Sequence, residues 1–103
     1  MTLEELSVIL QSTGLPVTYR AWPEGKAPGL PFICYLSEGT NAIYADGSVF
    51  CTWQDVRVEL YTAVKSPELE STVEAALTGF HWKKSETYIS TERCYLIIYE
   101  IEV

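Results

Sequence analysis

Two residues of this sequence could together perform covalent chemistry: its single histidine, His81, and a later cysteine, Cys94. A cysteine thiolate with a histidine base is a common nucleophilic pair. Cys94 heads a run dense in aliphatic residues, however, and apolar burial raises a thiol pKa and reduces its reactivity. His81 has no second histidine or cysteine at metal-ligand spacing. We therefore interpret His81 as a surface or packing residue and predict no catalytic residue, metal site, cofactor or enzymatic activity.

A pair of carboxylates, Glu100 and Glu102, lies near the end of the chain. Two residues apart on a predicted strand, they share one face, and no acid or base is assigned opposite them. They are either a solvated sheet end that guards against edge-to-edge pairing, or an acidic surface that faces a partner or lines a channel. Both interpretations stay open at this point.

The aromatic residues exceed what a small core needs. Tyrosine and tryptophan on half-exposed strand faces are frequent where proteins meet proteins, so we predict that some lie at an interface; the alternative is that helices cover them. The residues concerned are Trp22, Tyr44, Trp53, Tyr61, Trp82, Tyr88 and Tyr99.

The three cysteines, Cys34, Cys51 and Cys94, each lie in an apolar strand pattern, which predicts buried thiols in a reducing cytosol rather than disulfides.

Length and charge narrow the class of protein. The 103 residues with 48% hydrophobic content predict one folded domain, residues 1–103. The formal net charge of −7 argues against a sequence-specific nucleic-acid binder and against attraction to an anionic membrane. The N-terminus carries acids where a signal peptide has lysines, and no apolar run is long enough to span a bilayer. We expect a cytosolic protein.

Hydrophobic periodicity predicts two helices and five strands. Thr2 and Glu5 have capping-box spacing, and Ser66-Pro67 is a typical helix start. The predicted elements are helices 2–10 and 66–79, and strands 17–22, 32–37, 49–62, 82–90 and 94–103. This order, α-β-β-β-α-β-β, predicts an α+β fold in which two helices pack against a mainly antiparallel sheet.

Two segments between these elements have turn composition. Pro23–Pro31 contains three prolines and two glycines and is predicted to be a rigid connector. Residues 38–48 contain Asp46-Gly47, a strong hairpin signal, and are predicted to form an irregular hairpin whose tip projects from the sheet.

Five short stretches resemble a known family: Leu15-Pro16-Val17, Pro31-Phe32-Ile33-Cys34-Tyr35, Arg57-Val58-Glu59-Leu60-Tyr61-Thr62, Lys65-Ser66-Pro67-Glu68-Leu69-Glu70 and Tyr99-Glu100-Ile101-Glu102. Together they resemble the small tail-component proteins of long-tailed phages and Gram-positive prophages, the group of tail-terminator and tail-completion proteins. The strand that ends at Thr62, followed by the helix start at Ser66, is the most distinctive part.

The resemblance implies a structural, non-enzymatic protein that forms a ring, often hexameric, capping the tail tube and meeting the head–tail connector. It implies assembly in the cytoplasm of the bacterial host and residence in the virion tail. With this resemblance, we expect the hairpin of residues 38–48 to reach a neighbouring subunit or a tail protein. The candidate interface residues are Thr40, Asn41, Tyr44, Asp46, Trp53, Glu100 and Glu102. Glu100 and Glu102 are further expected to face a DNA passage, where like charge would keep DNA from sticking. The alternative is a small acidic regulator or inhibitor that binds a basic site on another protein.

Overall fold

The helices and strands follow the predicted order. The computed structural model describes residues 2–103 and contains two helices and five strands in the order α-β-β-β-α-β-β. Their bounds are α1 Leu3–Gln11, β1 Val17–Tyr19, β2 Phe32–Ala45, β3 Ser48–Thr62, α2 Pro67–Ala76, β4 Lys83–Ile89 and β5 Cys94–Glu102. The prediction of an α+β fold with a mainly antiparallel sheet is confirmed.

The sheet is centred on β3. Its strand order is β1-β2-β3-β5-β4; the short outer pair β1–β2 is parallel, and the other three pairs are antiparallel. The period of two in β3 sends Val56, Val58 and Leu60 to one face, where each is at most 1% exposed. Residues of β2 and β5 on the same face pack beside them, and together they form the part of the hydrophobic core that the sheet contributes.

Both helices pack on that face of the sheet. In α1 the capping box between Thr2 and Glu5 is formed, and Leu6 and Leu10 are buried. In α2 Ser66 caps the first turn and Val73 is buried against the same core. The helix ends at Ala76, earlier than predicted. Within residues 2–103 neither helix has the length and hydropathy that a membrane crossing requires.

The opposite face of the sheet is covered only in part. β1 ends at Tyr19, before the predicted Trp22, because Arg20 adopts a φ of 65° that breaks the strand. Residues 20–31 then lie beside this face, where Trp22 packs edge-on against Phe32 with 5.7 Å between ring centroids. Cys34 and Cys94 are buried at this end of the face.

A long β-hairpin projects from the sheet. Strands β2 and β3 stay paired from Phe32 and Tyr61 outward to Ala45 and Ser48. β1 accompanies β2 only to Tyr35, and the β5 ladder begins at Asp55. We call residues 39–54 the arm. It explains the long axis of 51 Å and the Cα radius of gyration of 15.1 Å, against about 13 Å for a compact chain of this length.

The strands of the arm extend further than the sequence predicts. The prediction of an irregular hairpin at residues 38–48 whose tip projects from the sheet is confirmed. The prediction that the second strand ends at residue 37 is wrong, because β2 continues to Ala45. Register shifts between Ser37 and Gly39 and between Ile43 and Tyr44 absorb the turn-forming residues within the ladder. At the tip Asp46 and Gly47 have φ of 52° and 80°, the positive pair that a tight hairpin turn requires.

Candidate functional site

The tip of the arm is an exposed apolar surface. Ile43, Tyr44 and Val49 have exposed fractions of 51%, 67% and 55%. Tyr44 lies directly opposite Val49 in the ladder, so the two side chains share one face. Apolar side chains held out on a projecting hairpin contribute nothing to the core, and they are available to a partner.

The base of the arm is braced by polar contacts. The Asn41 amide nitrogen donates a hydrogen bond of 2.7 Å to the Asp55 carboxylate, which joins β2 to β3. Asn41 and its ladder partner Trp53 are only partly exposed. Of the predicted interface residues on the arm, Thr40, Tyr44 and Asp46 are therefore the accessible ones, while Asn41 stiffens the hairpin.

An acidic cleft lies at the base of the arm. Glu38, Asp55, Glu100 and Glu102 line a cleft of about 520 Å³, together with neighbours that include His81 and Lys83. Sequence reasoning singled out only the last two carboxylates. Asp55 joins them because the β3–β5 register sets it opposite Glu102. Glu100 and Glu102 thus form a surface separate from the apolar tip.

The two residues considered for covalent chemistry lie at opposite ends of β5. His81 lines the acidic cleft beside Glu102, whereas Cys94 begins the strand at its other end. Eight strand steps separate Cys94 from Glu102, or about 27 Å. Burial, and then the charge of Glu92, raises the pKa of the Cys94 thiol. His81 and Cys94 therefore do not form a catalytic pair. Within residues 2–103 no group of three histidine, cysteine, aspartate or glutamate side chains could hold a metal ion.

An apolar pocket lies between residues 20–31 and the partly covered sheet face. Its volume is about 400 Å³, and the rings of Trp22, Phe32 and Tyr61 form much of its wall. Burial, and then the charge of Glu59, raises the pKa of the Cys34 thiol in this wall to about 11. The indole nitrogen of Trp22 is buried and has no hydrogen-bond acceptor among the described residues. Sequence reasoning missed this pocket, because it interpreted 23–31 only as a connector.

The outcomes for the cysteines and aromatic residues differ between positions. Cys34 and Cys94 are buried as predicted, but the prediction for Cys51 is wrong: it lies exposed on the arm, where no helix covers the strand. Tyr99 is fully buried, so the core explains it, whereas Tyr44 and Tyr88 are more than half exposed. The excess of aromatic residues is therefore divided between core and surface.

Comparison with protein-family models and with curated proteins gives no match to this chain.

Proposed function

We propose that this protein is a structural component of a phage or prophage tail, a tail terminator or tail-completion protein at the head–tail junction. It acts by self-association into a ring and by docking to the tail tube or the head–tail connector. The observation that carries the proposal is the projecting arm with its exposed apolar tip. The resemblance of the sequence to small tail-component proteins supplies the biological setting.

The arm suits assembly for a physical reason. A long exposed hairpin with apolar side chains promotes association of a monomer, because other molecules can pair with its unpaired strand edges and cover its apolar surface. Here the tip is braced at its base by the Asn41–Asp55 hydrogen bond rather than being folded back. A stiff element of this kind loses little conformational entropy when a partner covers it.

A ring needs two different patches on each subunit, since only a heterologous contact can propagate around an axis. The arm supplies one patch, and the body of the domain supplies the other. In this proposal the protein assembles in the cytoplasm of the bacterial host and remains in the virion tail.

Removal of the arm tests the proposal. Residues 41–53 are replaced by Asn-Gly, so that Thr40 and Gln54, which are ladder partners, are joined by a two-residue turn. We expect the shortened protein to fold, because the core cluster lies outside the removed segment. We also expect it to lose self-association and binding to purified tail tubes, measured by light scattering after size exclusion, by negative-stain imaging and by co-sedimentation.

The matched control is Val64→Ser, which removes an equally exposed apolar side chain, 69% accessible, outside the arm. This variant is expected to assemble like the wild type. Rings or tail-tube binding by the shortened protein at wild-type concentration would contradict the proposal.

The acidic cleft has a separate role in the proposal. Its carboxylates Glu100 and Glu102 face the DNA passage, where their negative charge repels the DNA phosphates and prevents DNA from binding to the wall. The double variant Glu100→Lys/Glu102→Lys is expected to assemble into particles that deliver DNA poorly, and normal delivery would refute this role.

The cleft also supports the second candidate, an acidic regulator that binds a basic partner. A stable one-to-one complex with a cellular protein, without self-assembly, would favour that function.

A further inference from the structure

Strand β4 forms an open edge of the sheet. It is the outermost strand in the order β1-β2-β3-β5-β4, so β5 pairs with one of its edges and no described strand within residues 2–103 pairs with the other. The N–H and C=O groups along such an edge can form a ladder with a further strand. Every residue of β4 except Ile89 is exposed. A partner strand can therefore reach nearly the whole length of this edge.

The helix-facing side chains of β4 carry opposite charges at neighbouring positions. Ion pairs with α2 and with Lys65 hold Lys84 and Glu86 on this face. The two side chains remain 33% and 43% exposed, so each can also meet a charge from another molecule. Two exposed aromatic residues flank them on the same face, Trp82 just before the strand and Tyr88 near its end.

This pattern is complementary to itself in one register. A strand that pairs antiparallel with a second copy of itself lies across a two-fold axis, and the residue on the axis sets the register. With Ser85 on the axis, Lys84 of each copy lies opposite Glu86 of the other, and Trp82 of each copy lies opposite Tyr88 of the other. An axis at residue 83, 84 or 86 brings like charges face to face, and an axis at residue 87 sets both charges against uncharged residues.

We propose that two copies of the chain pair antiparallel through β4 with Ser85 on the two-fold axis, so that their sheets join into one continuous sheet. Opposite charges meet on both sides of the axis, and the exposed aromatic rings cover one another. This contact goes beyond the proposed function, because it uses the β4 edge rather than the arm and neither needs nor produces a ring. A chain without the arm therefore keeps this contact although it loses ring formation.

Substitutions at Thr87 test the register without disturbing the ion pairs. Thr87 is exposed on the other face of β4, and the proposed register sets it opposite Lys83 of the second copy. Thr87→Glu is expected to tighten dimerisation about 2- to 30-fold, and Thr87→Lys is expected to weaken it by a similar factor, because two cross-strand charge pairs change in each dimer. Sedimentation velocity over a range of protein concentrations measures the dissociation constant.

General charge repulsion predicts the opposite order. The chain has a net charge of −7, so an added acid by itself disfavours association and an added lysine favours it. Gln11→Glu and Gln11→Lys make the same changes in charge at an exposed position of α1, which contacts β1 at the far side of the sheet. They measure the general effect. If the Thr87 variants follow the same order as the Gln11 variants, the register is refuted.

A cysteine on the axis gives a second, direct readout. In a Cys51→Ser background, which removes the exposed native thiol, Ser85→Cys places two thiols on directly opposite residues. Their Cα atoms are then about 4.5–5.5 Å apart, within the range that a disulfide spans. Diamide, which is reduced as it oxidises the two thiols, is expected to cross-link this variant rapidly. Thr87→Cys in the same background should stay reduced, because its two copies are offset by four strand steps, about 13 Å.

The outcomes separate this contact from the proposed function. If Ser85→Cys does not cross-link, or if Thr87→Cys cross-links equally fast, the edge contact is refuted. Rings that form while residue 85 stays reduced leave the proposed function standing without this contact. A rapid cross-link at residue 85 in a protein that forms no ring, alone or on tail tubes, supports the edge contact and overturns the proposed function.

Discussion

Replacing Tyr99 with alanine is expected to lower the free energy of unfolding by about 4 kcal/mol. Tyr99 is fully buried in β5, with its ring edge-on to Trp82 at 5.4 Å between centroids. Its hydroxyl donates a hydrogen bond of 2.8 Å to the Glu74 carboxylate on α2, so the residue joins the sheet to the helix. The truncation leaves a cavity and removes this link. Urea denaturation followed by circular dichroism measures the change.

The control for this prediction is Tyr99→Phe, which keeps the ring and removes only the hydroxyl. Loss of one hydrogen bond to a charged acceptor should lower the free energy of unfolding by about 1.5–3 kcal/mol. A loss below about 1 kcal/mol for Tyr99→Ala would show that the ring does not pack as described.

Replacing Glu70 with alanine is expected to lower the free energy of unfolding by about 2 kcal/mol. The Glu70 side chain is almost fully buried on α2 and forms ion pairs of 2.7 Å with both Lys65 and Lys84. Its removal leaves each lysine with one carboxylate partner instead of two, Glu86 for Lys65 and Glu74 for Lys84. The effect is smaller than the 3–5 kcal/mol typical of a fully buried pair, because both lysines remain partly in water.

This ion network also sets a pH dependence. Burial acts to raise the pKa of Glu70, but the hydrogen bonds and charges of Lys65 and Lys84 outweigh it and hold the pKa below its ordinary value of 4.5. The Lys84 hydrogen bond lowers the pKa of Glu74 in the same way. Because both carboxyls have a lower pKa in the folded state, their stabilisation is fully present above about pH 4.5 and is lost as the pH falls through their folded-state values.

The stability curves of the wild type and the Glu70→Ala variant should therefore converge in acid. At neutral pH they differ by the full contribution of Glu70, and the difference shrinks below pH 4.5. The matched control is Glu68→Ala, an exposed acid in the first turn of the same helix, which should cost only about 0.3–1 kcal/mol through the helix dipole. A difference between wild type and Glu70→Ala that stays constant from pH 7 to pH 3 would contradict the role assigned to the network.

The helices and the sheet could be predicted because their sequence signals are local. The capping box at Thr2 and Glu5 and the Ser66-Pro67 start both lie within one helical turn of the residues they order. The alternation of Val56, Val58 and Leu60 likewise identifies a half-buried strand from its own residues.

The arm length could not be predicted, because tertiary pairing overrides local preference there. Glu38-Gly39-Thr40-Asn41 has turn composition, yet β3 provides a partner strand, and a register shift takes up the extra residue. The exposure of Cys51 follows from the same extension, since a strand beyond the body of the domain has no helix above it.

The candidate sites could not be predicted from the sequence, because each is formed by residues that are distant in the chain and adjacent only in the fold. The acidic cleft collects carboxylates from three strands, and only the β3–β5 register sets Asp55 opposite Glu102. The apolar pocket depends on how residues 20–31 lie beside the sheet, which composition does not encode. Periodicity within one strand says which face a residue occupies, not which distant residue lies beside it.

The contrast among the three thiols gives the molecule a built-in attachment point for a dye. Burial raises the pKa of both Cys34 and Cys94, so at mildly alkaline pH these two sulfurs remain protonated and shielded. Cys51 is open to solvent, close to the end of the hairpin. A maleimide fluorophore will therefore label the wild-type chain at one position without any engineered cysteine. Its anisotropy and its accessibility to a dissolved quencher then report directly whether the arm is free in solution or covered by another molecule.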